Sequence, residues 1–434
     1  MESGIEIGTK LKTIDGKTIT VLDLLGEGGQ GYVYLVDYDS TKKALKWYKK
    51  NQLGSMPQKF YENLVTNKEK MSPSKEFLWP IDITKWEDGT FGYVMDLLKD
   101  GYYSITEFIL GNVKFKDFKV ICDATLNLVS AFRKLHNRGY SYQDLNDGNF
   151  FINPKNGNLL IGDNDNVVPD NNFTGVLGKP RYMAPEIVIG KGDVKPNITS
   201  DLYSLSLLIF MLFTNTHPLE GKKVVNTPNR DVLDKTLYGS EAVFIMDSND
   251  KSNAPHPKLH QNIISIWPYL PSYMKDIFLK AFSKEALIKG IGRPKEIEWL
   301  KNLARFRNDI VYCKKCGNSA FAEKTDICDC CSENLNIKYK LKIDDYTIPA
   351  VEDTRIYNFQ VSACKVEEAL NPVARIIKNK NNEDLLAIVN LSNKIWNATT
   401  PSGKTKKVAN KELIPLKEGI NIMVENLKIE IIKN

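Results

Sequence analysis

The sequence predicts an α+β chain with two lobes, a β-sheet lobe followed by a mainly helical one, and a smaller β-rich region at its end. Residues 18–49 alternate apolar and polar side chains around a cluster of glycines, which is typical of neighbouring strands. Residues 117–139 instead repeat apolar side chains at helical spacing, and further helical patterns follow at 200–214, 272–282 and 295–306. After residue 310, a cysteine-rich segment leads into short β-like runs at 385–391, 408–416 and 420–432, which are separated by Asn, Gly and Lys turns. The order of these patterns predicts the fold class.

The size, charge and apolar runs of the chain limit the classes of protein to which it can belong. A chain of 434 residues exceeds the usual size of one hydrophobic core, so two or more domains are expected. The net charge of +6 is small beside 59 basic and 53 acidic residues, so nucleic acid is not an expected partner. The longest apolar run, 202–213, is too short to cross a bilayer, and residues 1–10 lack the apolar core of a signal peptide. We therefore expect a cytoplasmic protein with no membrane contact.

A glycine-rich motif lies between the first two strands. Residues 26–33 read Gly-Glu-Gly-Gly-Gln-Gly-Tyr-Val. Gly26, Gly28 and Gly31 have no Cβ, so the backbone beside Val33 can approach the phosphates of a nucleotide. The spacing also fits a dinucleotide site or a plain glycine hairpin, but a dinucleotide site requires a helix next, and a strand follows here.

A lysine follows on the next strand, in Ala44-Leu45-Lys46. On this strand Lys46 could neutralise the α and β phosphates of a nucleotide bound under the glycines, and Ala44 is a further candidate nucleotide contact. We expect Glu62, on the following helix, to pair with Lys46. Glu69 on the same helix is the alternative partner.

The strongest motif is an acidic loop that follows the long helix. Asp144 lies in Tyr-Gln-Asp-Leu-Asn-Asp-Gly-Asn (142–149), with Asn149 five residues later and Asp163 fourteen residues after that. This spacing matches a known catalytic pattern, in which an aspartate accepts a hydroxyl proton and a later Asn and Asp hold Mg²⁺. A polar loop explains the composition but not the separations.

With Ala184-Pro185-Glu186 and Asp201, this order of motifs resembles a Hanks-type protein kinase over residues 18–306. The resemblance implies a bilobal kinase fold, with an N-lobe at 1–96 and a C-lobe at 97–308. It also implies ATP and Mg²⁺ as cofactors and protein substrates. Adenine contacts are implied for Met95 as gatekeeper and for the hinge from Asp96 to Leu98.

A narrower resemblance rests on four further motifs, namely Phe-Tyr-Glu-Asn (60–63), Phe-Leu-Trp-Pro (77–80), Arg-Tyr-Met-Ala-Pro-Glu (181–186) and the trailing Cys pairs. Together they are similar to bacterial kinases of the tellurium-resistance-associated phosphorylation cassette. That likeness implies a role in bacterial signalling or stress response. It also implies a von Willebrand A protein and a metal-dependent Ser/Thr phosphatase as partners.

The catalytic loop departs from the family pattern. Tyr142, Gln143 and Asn146 replace the usual His, Arg and Lys, and residues 163–165 read Asp-Asn-Asp where Asp-Phe-Gly is usual. The lost Lys removes a cation that assists the transferring phosphoryl group. A pseudokinase scaffold and a small-molecule phosphotransferase on the same fold therefore remain alternatives, and the choice between Ser/Thr and Tyr as acceptor stays open. Because Gln143 carries no charge, we expect activity not to depend on phosphorylation of the activation loop, or activation segment, from Asp163 to Glu186.

Four cysteines after the kinase-like region have the spacing of a metal site. Cys313 and Cys316 form one C-x-x-C pair, Cys328 and Cys331 form a second, and eleven residues separate the two pairs. Each pair can direct two thiolates at one ion, which predicts a zinc ribbon over residues 309–337. Redox chemistry through Cys330 is the alternative.

Residues 338–434 are predicted to form a small β-rich domain. Asn390-Leu391-Ser392 with Trp396, and then residues 416–420, resemble the second half of a forkhead-associated (FHA) β-sandwich, a fold that reads phosphothreonine. The phosphate-binding Arg and Ser of that family have no assigned counterpart here. A β domain used for packing or protein docking is the alternative.

Overall fold

The structure is a computed structural model that describes residues 4–175, 178–190, 193–225, 230–382 and 385–434. It has a sheet-rich N-lobe, a helical C-lobe and a β-rich C-terminal region, so the predicted order of regions is confirmed. In the part of the chain with assigned positions, no helix is both long and apolar enough to span a bilayer.

The N-lobe is an antiparallel sheet with one helix packed on it. Its six strands lie in the order β1-β2-β3-β4-β6-β5. The elements are β1 (Lys10–Lys12), β2 (Thr18–Glu27), β3 (Gly31–Tyr38), β4 (Thr41–Tyr48), α1 (Pro57–Glu69), β5 (Asp82–Ile83) and β6 (Gly92–Met95). Phe60 and Leu64 of α1 are buried against the sheet, because residues four apart lie on one helix face.

The C-lobe is mainly helical, with short strand pairs around the catalytic loop. Its strands are β7 (Tyr103–Ser104), β8 (Tyr140–Ser141), β9 (Phe150–Ile152), β10 (Leu159–Ile161) and β11 (Val168–Pro169). Its helices are α2 (Ile105–Ile109), α3 (Phe118–Asn137), α4 (Pro185–Gly190), α5 (Ile198–Thr214), α6 (Lys222–Val225), α7 (Arg230–Lys235), α8 (Gln261–Ile266), α9 (Ser272–Ala281), α10 (Lys284–Ile288) and α11 (Glu296–Asp309).

Helix α5 explains the longest apolar run of the sequence. Asn197 and Ser200 form a reciprocal capping box at its start, and Asn215 ends it in the left-handed conformation. Every residue from Ser200 to Thr214 is buried. A helix that is apolar on all sides must be surrounded by protein, so α5 is the central helix of the C-lobe core.

The C-terminal region begins with a β-hairpin and continues as two sheets. The hairpin pairs β12 (Ile310–Tyr312) with β13 (Ser319–Phe321). The sheets, in the orders β15-β14-β23-β22-β19-β20 and β16-β17-β18-β21, enclose a core around Trp396. Their elements are β14 (Tyr339–Ile343), β15 (Tyr346–Pro349), β16 (Arg355–Tyr357), α12 (Asn358–Val361), β17 (Pro372–Lys378), β18 (Leu386–Asn390), β19 (Trp396–Thr399), β20 (Thr405–Val408), β21 (Leu413–Pro415), β22 (Asn421–Val424) and β23 (Leu427–Lys433).

The end of α11 contacts the rest of the C-lobe, the β12–β13 hairpin and the C-terminal sheets. Arg307 Nε lies 2.6 Å from Asp123 Oδ1 on α3, and its Nη2 lies 2.6 Å from Asp353 Oδ2 in the C-terminal region. Asp309 Oδ1 accepts a hydrogen bond of 2.7 Å from the backbone N–H of Glu323, beyond the β12–β13 hairpin. The C-terminal sheets are therefore held against the C-lobe by paired charges.

Apolar side chains also cross this junction. Tyr357, Phe359 and Ala369 pack into the same core cluster as the C-lobe helices. The predicted domain limits of 1–96, 97–308, 309–337 and 338–434 stay predictions.

Candidate active site

The glycine-rich turn joins β2 to β3 and covers the cleft between the lobes. A Cβ on Gly31 would lie 2.2 Å from the carbonyl oxygen of Trp47, so no larger residue fits between β3 and β4. A Cβ on Gly26 would meet no atom within 4 Å, and one on Gly28 would meet only the Gly31 carbonyl at 3.9 Å. The turn thus combines one packed glycine with an open backbone that a phosphate can approach.

The expected adenine-contacting residues lie together on one face of the sheet. Val33 is opposite Lys46 in the β3–β4 pair, and Ala44 is opposite Met95 in the β4–β6 pair. Since opposite residues in a ladder share a face, Val33, Ala44 and Met95 line the roof of the cleft. The hinge follows, where Asp96 Oδ1 lies 2.6 Å from Lys43 Nζ and the Leu98 side chain is exposed.

Lys46 is buried in the cleft and has three hydrogen-bond partners. Its Nζ lies 2.6 Å from Asp165 Oδ2, 3.1 Å from Asp163 Oδ1 and 3.2 Å from Gln30 Oε1. Burial alone would lower the pKa of Lys46, but the charges of Asp163 and Asp165 outweigh it and raise that pKa above its ordinary value. Gln30 also ties the glycine-rich turn to Lys46 on β4.

The expected pair of Lys46 with Glu62 does not form, and this prediction is corrected. Glu62 is exposed and accepts a hydrogen bond of 3.0 Å from Gln58 on its own helix. Glu62 is two residues after the buried Phe60, so its side chain lies about 200° further around the helix and faces away from the sheet. Glu69, the alternative, is also exposed, at the end of α1.

The residue that replaces Glu62 is Asp165, which sequence reasoning missed. It is fully buried, and Tyr48 donates a hydrogen bond of 2.5 Å to the same Oδ2 that Lys46 contacts. Burial, together with the charge of Asp165, raises the pKa of Tyr48 well above its usual value, so the phenol remains a donor. Lys46 and Tyr48 are two residues apart on β4, so their side chains share a face. This spacing is the sequence signal from which a shared acidic partner could have been predicted.

Helix α1 contacts the segment from Asp163 to Val167 through side-chain amides. The Nδ2 atoms of Asn63 and Asn67 donate to the carbonyl oxygen of Val167 at 2.8 and 2.7 Å. Asn164, in the place of the usual Phe, is fully buried and donates to the carbonyl oxygens of Leu78 and Ile161 at 2.9 Å each. Amide hydrogen bonds therefore connect the lobes here.

Asp144 lies in the cleft with two asparagines around it. Asn146 Nδ2 donates to Asp144 Oδ1 at 3.1 Å, and Asn149 Nδ2 donates to the Asp144 carbonyl at 2.9 Å. Burial, and secondarily the charge of Asp163, raises the pKa of Asp144 to about 6. A carboxylate oriented in this way can accept a proton from a hydroxyl group.

The backbone of the catalytic loop is held from below by α5. The carboxylate of Asp201 accepts hydrogen bonds from the N–H groups of Tyr142, at 2.6 Å, and Gln143, at 3.1 Å. Gln143 has a φ of 70°. Its Nε2 donates to the carbonyl oxygen of Asn172, in the activation segment, at 2.7 Å. The neutral Gln143 thus binds the activation segment directly.

The expected Mg²⁺ ligands have suitable donor atoms. Asp163 is the partly exposed member of the aspartate pair on Lys46, with a side-chain exposure of 41% against 0% for Asp165. Asn149 uses its amide nitrogen on Asp144, so its oxygen is the end that can ligate a cation. Carboxylate and amide oxygens are the donors that Mg²⁺ prefers, so Asp163 and Asn149 fit this ion.

The four cysteines converge as the spacing requires. Their Sγ atoms lie within 4.8 Å of one another, with 3.6 Å between Cys313 and Cys331 and 3.5 Å between Cys316 and Cys328. Four thiolates around zinc at about 2.3 Å would be roughly 3.8 Å apart in a tetrahedron, so the cluster fits this ion.

Comparison with known proteins assigns the chain to a family. The sequence matches the family model of the protein kinase domain over residues 19–285. This match covers more than half of the chain, and the chain belongs to the protein kinase domain family.

Curated relatives are protein kinases of greater length. The chain is 28% identical over 230 residues to the cGMP-dependent protein kinase, isozyme 2 forms cD5/T2, of Drosophila melanogaster, a match that covers 52% of this chain and 24% of that protein. It is 26% identical over 222 residues to ribosomal protein S6 kinase alpha-6 of Danio rerio, with 50% and 29% covered. The chain therefore spans less than a third of the length of these relatives.

A solved structure is also similar. The PknI kinase domain of Mycobacterium tuberculosis shares 16% sequence identity with a TM-score of 0.46, and the match covers 69% of this chain and 98% of that one.

Proposed function

We propose that the chain is an ATP- and Mg²⁺-dependent protein kinase that transfers the γ-phosphate of ATP to Ser or Thr residues of proteins. The observation that carries this proposal is the convergence of Lys46, Asp144, Asn149 and Asp163 in one cleft under the glycine-rich turn. A nucleotide-binding scaffold requires neither an oriented base nor a full set of metal-binding donors.

Each residue has a distinct task in this reaction. Lys46 holds the α and β phosphates, and Asp144 orients the acceptor hydroxyl and takes its proton. Asp163 and Asn149 would hold Mg²⁺, which neutralises charge on the phosphates when bound. The bond between the γ-phosphorus and the β–γ bridging oxygen breaks as the bond from the acceptor oxygen forms, so ADP leaves and the acceptor becomes a phosphate ester.

The setting of this activity follows from the resemblance to the cassette kinases. We propose a role in bacterial signalling or stress response in the cytoplasm, with a von Willebrand A protein and a metal-dependent Ser/Thr phosphatase as partners. Co-purification of these two proteins with the tagged chain tests the proposal. Their absence from the purified complex would contradict it.

The C-terminal regions have supporting tasks. We propose a structural zinc in the ribbon, because the hairpin core contains few apolar residues, chiefly Val311, Ala320 and Leu335. For the two sheets we favour packing and protein docking over phosphothreonine reading. Asn390 and Trp396, which carry the FHA resemblance, are buried, and their side-chain hydrogen bonds lie within the turn between β18 and β19 and its neighbour β20.

The test of the activity is transfer of labelled γ-phosphate from ATP, with the chain itself, a cell extract and an extract freed of protein as acceptors. Label in protein at Ser or Thr supports the proposal. Label only in small molecules would assign a small-molecule phosphotransferase, and binding of ATP without any transfer would assign a pseudokinase.

A further inference from the structure

A lysine of the activation segment lies against the catalytic loop where that loop lacks its own cation. Lys179 Nζ donates a hydrogen bond of 3.2 Å to Asn146 Oδ1, and Asn146 Nδ2 donates one of 3.1 Å to Asp144 Oδ1. The ammonium of Lys179 is thus two hydrogen bonds from the carboxylate of the proposed base. Asn146 occupies the position of the usual catalytic-loop Lys and is neutral.

The backbone of the activation segment makes this placement specific. A Cβ on Gly178 would lie 3.1 Å from Asp144 Oδ1 and 3.3 Å from the carbonyl oxygen of Gln143, so the segment touches the catalytic loop directly before Lys179. The Lys179 carbonyl then accepts hydrogen bonds from the N–H groups of Tyr182, at 2.9 Å, and Met183, at 3.2 Å.

The segment that follows is anchored to the C-lobe. Ser204 Oγ on α5 donates to the Tyr182 carbonyl at 2.7 Å. Arg181 binds Glu220 through Nε at 2.5 Å and Nη2 at 2.9 Å. Lys179 therefore extends from a fixed turn even though its side chain is exposed.

Other cations near the cleft are already paired. Lys46 contacts two aspartates, and Arg181 binds Glu220 through Nε and Nη2 of its guanidinium. Of these three cations, Lys179 is the one for which the assigned part of the chain provides no carboxylate within ion-pair distance. An unpaired ammonium beside a base is placed to bind an anion.

We infer that Lys179 is a catalytic residue that contacts the γ-phosphoryl group during transfer, and that it replaces the cation missing at Asn146. The inference rests on the proposed kinase function. As the γ-phosphorus moves from the bridging oxygen of ADP to the acceptor oxygen, negative charge spreads over its outer oxygens, and a fixed cation there lowers the barrier. Asp144 takes the proton of the acceptor and Lys179 keeps its own.

Two measurements on the full chain test this inference. The first compares the affinities of Mg²⁺-bound AMP-PNP and ADP, because only the former carries a γ-phosphate. We expect Lys179→Met to weaken AMP-PNP by roughly threefold to tenfold and to leave ADP unchanged. The second is kcat for protein phosphorylation, which should fall roughly tenfold to a hundredfold in Lys179→Met and stay within threefold in Lys179→Arg.

An exchange of the two side chains separates a catalytic cation from a structural one. The double variant Asn146→Lys with Lys179→Asn returns the charge to the loop, so it should recover much of the kcat that Lys179→Asn alone loses. Lys289→Met, at an exposed lysine whose Nζ lies 3.9 Å from Glu285 Oε1, is the matched control and should change neither measurement.

The inference is overturned if Lys179→Met keeps both kcat and the ratio of the two affinities within twofold, or if the exchanged variant gains nothing over Lys179→Asn. A wild-type chain that transfers no phosphate would instead contradict the proposed function. In that case the affinity ratio still decides whether Lys179 contacts the γ-phosphate.

Discussion

Lys46 and Asp165 form the buried ion pair of the cleft, with 2.6 Å between Nζ and Oδ2. The carboxylate comes from the segment that also carries Asp163, and not from helix α1. Lys46 is therefore joined directly to the segment that carries Asp163 and Asp165, and no carboxylate of α1 takes part in this pair.

We expect Asp165→Asn to raise the Mg²⁺ concentration needed for half-maximal activity by about tenfold, because Lys46 would then retain only Asp163 and compete with Mg²⁺ for it. Loss of one partner of a buried pair should also lower the free energy of unfolding by about 3 kcal/mol. Mg²⁺ titrations of rate and urea unfolding measure the two effects. Asp165→Glu should restore the Mg²⁺ requirement in part.

Glu62→Gln is the contrasting variant for this prediction. Glu62 is exposed and contacts Gln58, so neither the Mg²⁺ requirement nor stability should change. A loss of activity in Glu62→Gln equal to that in Asp165→Asn would show that α1 supplies the partner of Lys46 after all.

Purified, reduced protein should contain about one zinc per chain, bound by the four cysteines that converge in the ribbon. Cys316→Ser should release the metal, since three thiolates hold zinc less tightly, whereas Cys122→Ser should not, because Cys122 is buried in α3. Metal analysis measures both. Protein without zinc, or with zinc retained in Cys316→Ser, would contradict the ribbon.

Activity should not depend on a phosphate in the activation loop. Gln143 already holds this loop through the carbonyl of Asn172, and Thr174 is buried with an exposure of 1%. Thr174→Ala and phosphatase-treated enzyme should keep initial rates within about threefold of the untreated wild type, whereas Gln143→Ala should slow transfer by releasing the loop. A tenfold loss in either of the first two would show that a loop phosphate is required.

The C-lobe should lose stability as pH rises through the alkaline range. His136 is buried between Asp201 and Glu296. Burial alone would lower the pKa of His136, but these two hydrogen bonds outweigh it and raise the pKa to about 9. A raised pKa stabilises the fold fully below the ordinary value of 6.5, and the contribution is lost as pH increases to about 9.

The upward shift of the His136 pKa corresponds to a change on the order of 3 kcal/mol in the free energy of unfolding over this pH range. Urea unfolding between pH 6 and pH 9.5 measures it. In His136→Gln the free energy of unfolding should change less with pH over this range. An unchanged slope in that variant would exclude His136 as its source.

Helical periodicity predicted the fold well where one face of a helix is buried. The predicted helices near 117–139, 200–214 and 272–282 correspond to α3, α5 and α9 within two residues at each end. Strands were predicted less well, because a run of β-like residues does not reveal where the chain turns. The predicted strand 408–416 is divided between β20 and β21, which lie in different sheets, and 420–432 is the hairpin of β22 and β23.

Local sequence patterns predicted the residues of the site but not the contact between Lys46 and its partner. Motif spacing predicted Lys46, Asp144 and Asp163, because each lies at a short distance along the chain from a recognisable motif. The partner of Lys46 depends on which face of α1 meets the sheet and on a contact across 119 residues, which no local pattern encodes. The buried positions Phe60 and Leu64 do predict that Glu62 faces away, once they are taken as the core face of the helix.

The most direct test of the central claim is phosphate transfer by Asp144→Asn, measured together with its affinity for Mg²⁺-bound ATP. Asp144 is proposed to orient and deprotonate the acceptor, while Lys46, Asn149 and Asp163 bind the nucleotide and its metal. We therefore expect affinity within about threefold of wild type and a rate of protein phosphorylation at least roughly a hundredfold lower. Phosphorylation of protein at near wild-type rate by Asp144→Asn would contradict the account.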